Sequence, residues 1–205
     1  MKLILLGAPG AGKGVQSRII SERFGMPIVA SGDILRRCLK SGIANDELAG
    51  LSNGRFASDE FVVRLVIEEL KKLVCEEYIL DGVPRTIEQV GILENNGVHL
   101  DCVIYITVSD EVAKKRIQSR LICCKCGAPY IAGGPKVCEC CGGILEKRAD
   151  DNEGVIQERL NLYHKCTEPL VSYYEEKNLL KRIEGDCEIE KVTESLVKCI
   201  GELMR

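Results

Sequence analysis

Lys2-Leu3-Ile4-Leu5-Leu6-Gly7-Ala8-Pro9-Gly10-Ala11-Gly12-Lys13-Gly14 is the stretch that decides the fold. A short apolar run reads as a buried strand, and it empties into a glycine-rich loop ending in lysine. Val15 to Phe24 then carries a helical pattern. Strand, glycine loop, lysine and helix, in that order, are the context of a phosphate-binding loop. The glycines let successive backbone N–H groups turn toward one anion, Lys13 adds a point charge, and the following helix presents its positive end. Such loops usually close with Ser or Thr after the lysine, whose hydroxyl ligates magnesium. Here that position is Gly14. The site therefore holds phosphates, and its metal is held through water or by a carboxylate elsewhere.

The chain has 205 residues, 45% hydrophobic and 29% charged, enough for one globular domain carrying insertions. A net charge of −3 leaves no electrostatic footprint for nucleic acid. The longest apolar runs fall far short of a membrane span. No signal peptide is evident, because the first apolar run stops at the glycine loop, so the expected compartment is the cytoplasm. Twelve cysteines are unusual there. Cys38, Cys75, Cys102, Cys166, Cys187 and Cys199 are scattered through helical and strand patterns and read as buried small hydrophobes. The other six crowd between Cys123 and Cys141, a density that calls for a metal rather than disulfides in a reducing compartment.

Along the chain, strands are expected at 2–6, 27–30, 78–81, 103–107 and 179–183. Helices are expected at 13–24, 31–40, 44–52, 59–75, 86–95 (from Thr86), 109–121 (N-capped by Ser109), 151–177 and 187–203. Strand–helix alternation of this kind argues for a parallel sheet covered on both faces.

Cys123-x-x-Cys126-Gly127 and Cys138-x-x-Cys141-Gly142 are two matching units. Two thiolates at this spacing grip one ion, and the glycine after the second permits the tight turn. Four such sulfurs close a tetrahedral zinc site with no open position, which makes it structural. Cys124 and Cys140 are spare thiols that leave a borrowed ligand as an alternative. His99 and His164 are poorly placed to compete and read as structural or exposed.

Asp81 ends a buried strand and is followed by Gly82-Val83-Pro84-Arg85. In doubly wound sheets ligands sit beyond the carboxyl ends of strands, so Asp81 and Arg85 should face Lys13. Asp81 can then hold the magnesium-bound water that Gly14 cannot. Arg36, Arg116, Arg120, Arg148 and Arg159 recur at the edges of segments that look inserted. Together they suit phosphoryl transfer between two nucleotides, a reaction of positioning and charge neutralisation. Guanidinium forks bind phosphate bidentately and keep their proton.

The chain as a whole resembles adenylate kinases of the long-lid bacterial type with a zinc-binding lid. The resemblance rests on GAPGAGKG at 7–14, SGDILR at 31–36, DGVPRT at 81–86, RIQSR at 116–120, the two cysteine units, and RADD at 148–151 with Arg159. These run in family order across almost the whole chain. The resemblance implies an α/β P-loop nucleoside monophosphate kinase fold, with a five-stranded parallel sheet core flanked by helices and two mobile inserts. The core would be 1–29, 59–120 and 151–205, the AMP-binding insert 30–58, and the zinc-binding lid 121–150. The implied reaction is ATP + AMP ⇌ 2 ADP with Mg2+, by a monomer with no nucleic-acid or membrane partner.

Carried over position by position, Gly10, Ala11, Gly12, Lys13, Gly14 and Val15 would wrap the ATP phosphates. Arg120 would reach those phosphates from the lid, Arg116 would stack on the ATP adenine, and Tyr130 lies where the lid touches ATP. Ser31, Arg36, Arg55, Phe56, Ala57, Gly82, Val83, Pro84, Arg85 and Gln89 resemble the AMP site, with the Gln89 amide suited to pair with an adenine edge. Arg148 and Arg159 would bridge the two nucleotides, so the catalytic set is Lys13, Asp81, Arg85, Arg120, Arg148 and Arg159.

This sequence departs from the family pattern at Val15 and Ser31, where Thr is usual, and at Val83, where Phe is usual. The first insert and the loop from Gly127 to Val137 are also a few residues short. Short-lid kinases of UMP, CMP or GTP generally lack a zinc lid, which argues against them. A nucleic-acid-binding ribbon is disfavoured because Gly127 to Lys136 is almost uncharged and carries one aromatic, Tyr130.

Overall fold

A computed structural model describes residues 1–42, Leu48, 55–148 and 151–204. Five strands, β1 (Lys2–Leu6), β2 (Ile28–Ala30), β3 (Tyr78–Asp81), β4 (Cys102–Thr107) and, late in the chain, β8 (Leu180–Glu184), form one sheet in the order β2-β3-β1-β4-β8. Every pairing in it is parallel. The alternation of β1 explains why both faces are covered. Ile4 and Leu6 point into one apolar cluster and Leu3 and Leu5 into another, all nearly fully buried.

The Ile4–Leu6 face packs against α3 (Asp59–Leu70), α4 (Ile87–Asn95) and α7 (Pro169–Glu176), through side chains such as Phe61, Val66, Leu93 and Leu170. The opposite face packs against α1 (Lys13–Phe24) and α8 (Ile189–Leu203), through Ile20, Leu196 and Ile200. The remaining helices are α2 (Ser31–Lys40), α5 (Asp110–Gln118) and α6 (Glu153–Leu162). A separate antiparallel sheet, in the order β6-β5-β7, is built from β5 (Arg120–Cys123), β6 (Pro129–Ile131) and β7 (Leu145–Glu146).

Among the described residues the expected elements are present, with four differences. The helix expected at 59–75 ends at Leu70, where Lys71 and Lys72 start a turn closed by backbone bonds to Ile67 and Glu69. The helix expected to reach 121 stops at Gln118, because Arg120 already pairs with Ile131 across β5 and β6. Ser109 begins that helix without a side-chain cap; its N–H donates instead to the Asp186 carboxylate at 3.1 Å. The long helix at 151–177 is interrupted by a π-turn, Tyr163–Thr167, between α6 and α7. The helix expected at 44–52 lies outside the described residues apart from Leu48, which is helical and buried.

The scattered cysteines also differ from expectation. Only Cys102 among the six is buried, Cys75 is exposed, and the rest are half-buried, Cys38, Cys187 and Cys199 at the edges of the core. His164 and His99 are exposed, as read.

Candidate nucleotide and metal sites

The loop between β1 and α1 crosses the carboxyl end of the sheet. Gly10 takes a φ of +86°, and a Cβ there would stand 2.5 Å from the Ala113 carbonyl of α5, so only glycine lets the loop lie this close. Lys13 Nζ folds back to donate to Gly7 O at 2.6 Å and Ala8 O at 2.9 Å. These carbonyls hold the ammonium inside the loop. Burial pulls the Lys13 pKa down from 10.5 to about 8, opposed by Asp81 and reinforced by Arg85, Arg159 and Arg120. An anion arriving at the loop relieves that frustration.

Asp81, at the end of β3, faces Gly14. A Cβ on Gly14 would lie 3.7 Å from Asp81 Oδ2, and Ser17 Oγ donates to the same oxygen at 3.4 Å. Burial pushes the Asp81 carboxyl up, against the pull of Lys13 and Arg85. A hard cation held through water beside this carboxylate, near incoming phosphates, fits both the gap at Gly14 and the oxygen donors present.

A cavity of about 870 Å³ opens over these residues. The loop from Gly10 to Val15 forms one wall, and Arg36, Arg55, Phe56, Gly82, Pro84 and Arg85 form another. Arg116 of α5, with Arg120, Tyr130, Arg148 and Arg159 from the side of the small sheet and α6, closes it. Arg85 Nε donates to Gly82 O at 2.8 Å, and its guanidinium lies 5.2 Å from the Phe56 ring centre. Burial draws the Arg85 pKa down, with Arg148 and Arg36 adding repulsion. The Arg36 guanidinium is paired with Asp33. Arg116 donates to Cys187 O at 2.9 Å, next to Ile189 and Val192 of α8.

Four expected residues stand behind this wall. Ser31 is buried and donates to Gly82 O at 2.7 Å, bracing the turn after Asp81. Ala57 and Val83 belong to the apolar core. Gln89 is also buried, and both ends of its amide are engaged. Its Oε1 accepts from Arg85 N–H at 2.7 Å, and its Nε2 donates to Asp59 at 2.8 Å. In this arrangement the amide links Arg85 to Asp59.

Sequence reading also missed residues. Asp151 accepts from both Arg120 and Arg159. Tyr163 and Thr167 line the cavity from the π-turn, and the wall from Cys187 to Val192 comes from the far end of the chain. Only RADD at 148–151 offered a signal, as an acidic pair beside an arginine.

The Sγ atoms of Cys123, Cys126, Cys138 and Cys141 all lie within 4.8 Å of one another. The nearest pairs are Cys123–Cys141 at 3.4 Å and Cys126–Cys138 at 3.5 Å. A tetrahedron of Zn–S bonds near 2.3 Å requires sulfur separations of roughly 3.8 Å, so the quartet fits that ion. Gly127 and Gly142 have φ of +71° and +66°, and their N–H groups donate to Cys123 O and Cys138 O at 2.9 and 2.8 Å. Cys124 and Cys140 stay outside the quartet. Tyr130 connects the two sites: its hydroxyl donates to Cys138 Sγ at 3.4 Å and accepts from Glu139 N–H at 2.9 Å, while the residue lines the cavity.

The adenylate kinase family model matches residues 5–179. The chain is 39% identical to the adenylate kinase of Magnetococcus marinus, over 98% of this chain and 100% of that protein. It is 41% identical to the adenylate kinase of Caldicellulosiruptor bescii, over 98% and 99%. It is 40% identical to that of Acetivibrio thermocellus, over 98% of each.

Proposed function

This chain belongs to the adenylate kinase family, and from that premise we infer that it transfers the γ-phosphoryl group of ATP reversibly to AMP, yielding two ADP. Its service is to the balance of adenine nucleotides. The observation that carries the site assignment is one cavity receiving Lys13, Arg36, Arg85, Arg120, Arg148 and Arg159 at the end of a phosphate-binding loop. Two nucleotides bring more phosphate charge than the loop alone can neutralise.

The residues divide into two sides. Backbone N–H groups from Gly10 to Val15 and Lys13 hold the ATP phosphates, with Arg116 and Tyr130 on the adenosine side. Arg36, Arg55, Phe56, Gly82, Pro84 and Arg85 form the AMP side, with Ser31, Ala57, Val83 and Gln89 supporting it from behind. Arg120, Arg148 and Arg159 sit between them. The guanidinium forks align the two phosphate chains and neutralise charge on the transferring group, and little covalent work is asked of the protein. Asp81 orients water around a magnesium ion, which when bound neutralises phosphate oxygens. Cys123, Cys126, Cys138 and Cys141 hold zinc, whose closed shell stiffens the small sheet and leaves no position for substrate.

The reading extends to organisation. Residues 1–29, 59–120 and 151–205 act as the core, 30–58 as the AMP-binding insert and 121–150 as the lid, both moving to exclude water during transfer. The enzyme acts as a monomer in the cytoplasm, with no nucleic-acid or membrane partner. No described helix is long and apolar enough to cross a membrane. The test is ADP formation from ATP with AMP, UMP, CMP and GMP in turn, with metal analysis of the same sample. AMP should be the preferred acceptor and zinc should be present at one per chain. Faster transfer to another monophosphate would overturn the assignment.

A further inference from the structure

The helical segment that carries Arg159 contains one π-turn, closed by Glu168 N–H donating to Tyr163 O at 2.8 Å. Such turns are rare and gather at functional sites. This one decides which side chains reach the cavity. Each α-helical residue rotates about 100°, so residues four apart drift by about 40°. From Arg159 through Tyr163 to Thr167 an unbroken α-helix would accumulate about 80°, turning Thr167 off the wall. The wider turn takes up that drift, and Arg159, Tyr163 and Thr167 all line the cavity.

Thr167 is 6% exposed, and its Oγ1 donates to the main-chain oxygen of Arg85 at 2.9 Å. On the other side of the same residue, Arg85 N–H donates to Gln89 at 2.7 Å. Both main-chain polar atoms of Arg85 are therefore gripped by side chains, one from α4 and one from the π-turn. With its main chain clamped, the guanidinium is aimed by Gly82 O and the Phe56 ring.

We propose that Thr167, delivered by the π-turn, is a positioning residue for AMP: it fixes the Arg85 peptide and thereby the guanidinium that takes the AMP phosphate. The proposal rests on the reading of Arg85 as an AMP ligand. It also links the two sides of the site, since the segment bearing Arg159 holds the arginine opposite.

Thr167→Val keeps the shape and removes the donor. Its KM for AMP should rise about tenfold, as for one lost hydrogen bond, with KM for ATP unchanged. Thr167→Ser should restore the AMP value. Should the valine variant not fold, Thr167→Ala reads the same split. Arg85→Lys separates the two layers: if it leaves KM for AMP unchanged, the assignment of Arg85 itself fails. If Arg85→Lys raises KM for AMP while Thr167→Val only lowers the melting temperature, or raises both KM values alike, the positioning role is overturned.

Discussion

Arg120 closes a fork on Asp151. Its Nε and Nη2 donate to the carboxylate at 3.0 and 2.6 Å, and the side chain of Asp151 is only 3% exposed. Arg159 donates to the same carboxylate at 3.1 Å. One buried acidic group thus holds two of the arginines assigned to the phosphates. On the proposed assignment a nucleotide phosphate would compete with Asp151 for both forks, and the carboxylate offsets the repulsion between the two guanidinium groups.

Replacing Asp151 with alanine should therefore destabilise the nucleotide-free protein far more than the loaded one. Breaking a buried ion pair costs about 3–5 kcal/mol, and the partial exposure of both arginines reduces this to about 2 kcal/mol. At this chain length that is a melting-temperature loss of roughly 4–8 °C. Saturating ATP should shrink the gap to the parent protein. An equal gap with and without nucleotide, read by thermal unfolding, would show that Asp151 does not stand in for phosphate.

What could be read from sequence followed how local the physics is. Gly10 to Gly14 and the two cysteine units act over a few residues, so their spacing alone announced them. Asp81 was legible because strand ends carry a positional rule in parallel sheets. Asp151 was not, because its partner Arg120 lies 31 positions away and pairs only once β5 and α6 converge. The π-turn has no local signature either, and an unbroken helix over 151–177 was the natural expectation. Gln89 was placed in the AMP site by the family resemblance; that its amide is buried and bonded to Arg85 and Asp59 depends on contacts 4 and 30 positions apart, which its spacing did not announce.

Loss of the metal should act on the cavity as well as on stability. Tyr130 lines the cavity while its hydroxyl donates to Cys138 Sγ, so the cysteine knuckle and the wall proposed to face ATP share a side chain. Cys138→Ser, or chelation of the parent, should abolish metal binding and lower the melting temperature. KM for ATP should rise with little change for AMP. Unchanged melting after metal removal has been verified by elemental analysis would sink the structural role of zinc.

His164 should give a small, signed pH dependence. Its Nδ1 lies 3.0 Å from Glu168 and its Nε2 3.0 Å from Asp110, and these hydrogen bonds, Glu168 first, raise its pKa above the usual value. A raised folded-state pKa means stabilisation that is complete below the unfolded value of about 6.5 and is lost as pH rises through the folded value. All three groups are substantially exposed, so solvent holds the effect to about 0.5–1 kcal/mol. Melting of His164→Asn should fall below the parent at pH 5.5 and match it at pH 8.5. A difference independent of pH would mean the histidine contributes packing alone.

Val15 is the residue of the phosphate-binding loop whose replacement should improve the site. It lines the cavity at the first turn of α1, where its N–H donates to Gly12 O at 3.0 Å and its side chain offers no donor. Threonine has nearly the same shape and places a hydroxyl there, and hydrogen bonds to charged groups contribute about 1.5–3 kcal/mol. Ordering the rotor and stripping water from it reduce the gain to about 1 kcal/mol, which is roughly a fivefold change in affinity. Val15→Thr should accordingly lower KM for ATP about fivefold and leave KM for AMP unaltered, because the proposed division of the cavity puts Val15 with the ATP phosphates. Titration of ATP and AMP into the two proteins separates the cases. Tighter ATP binding alone would confirm the division of the cavity, whereas an equal gain for both nucleotides would contradict it.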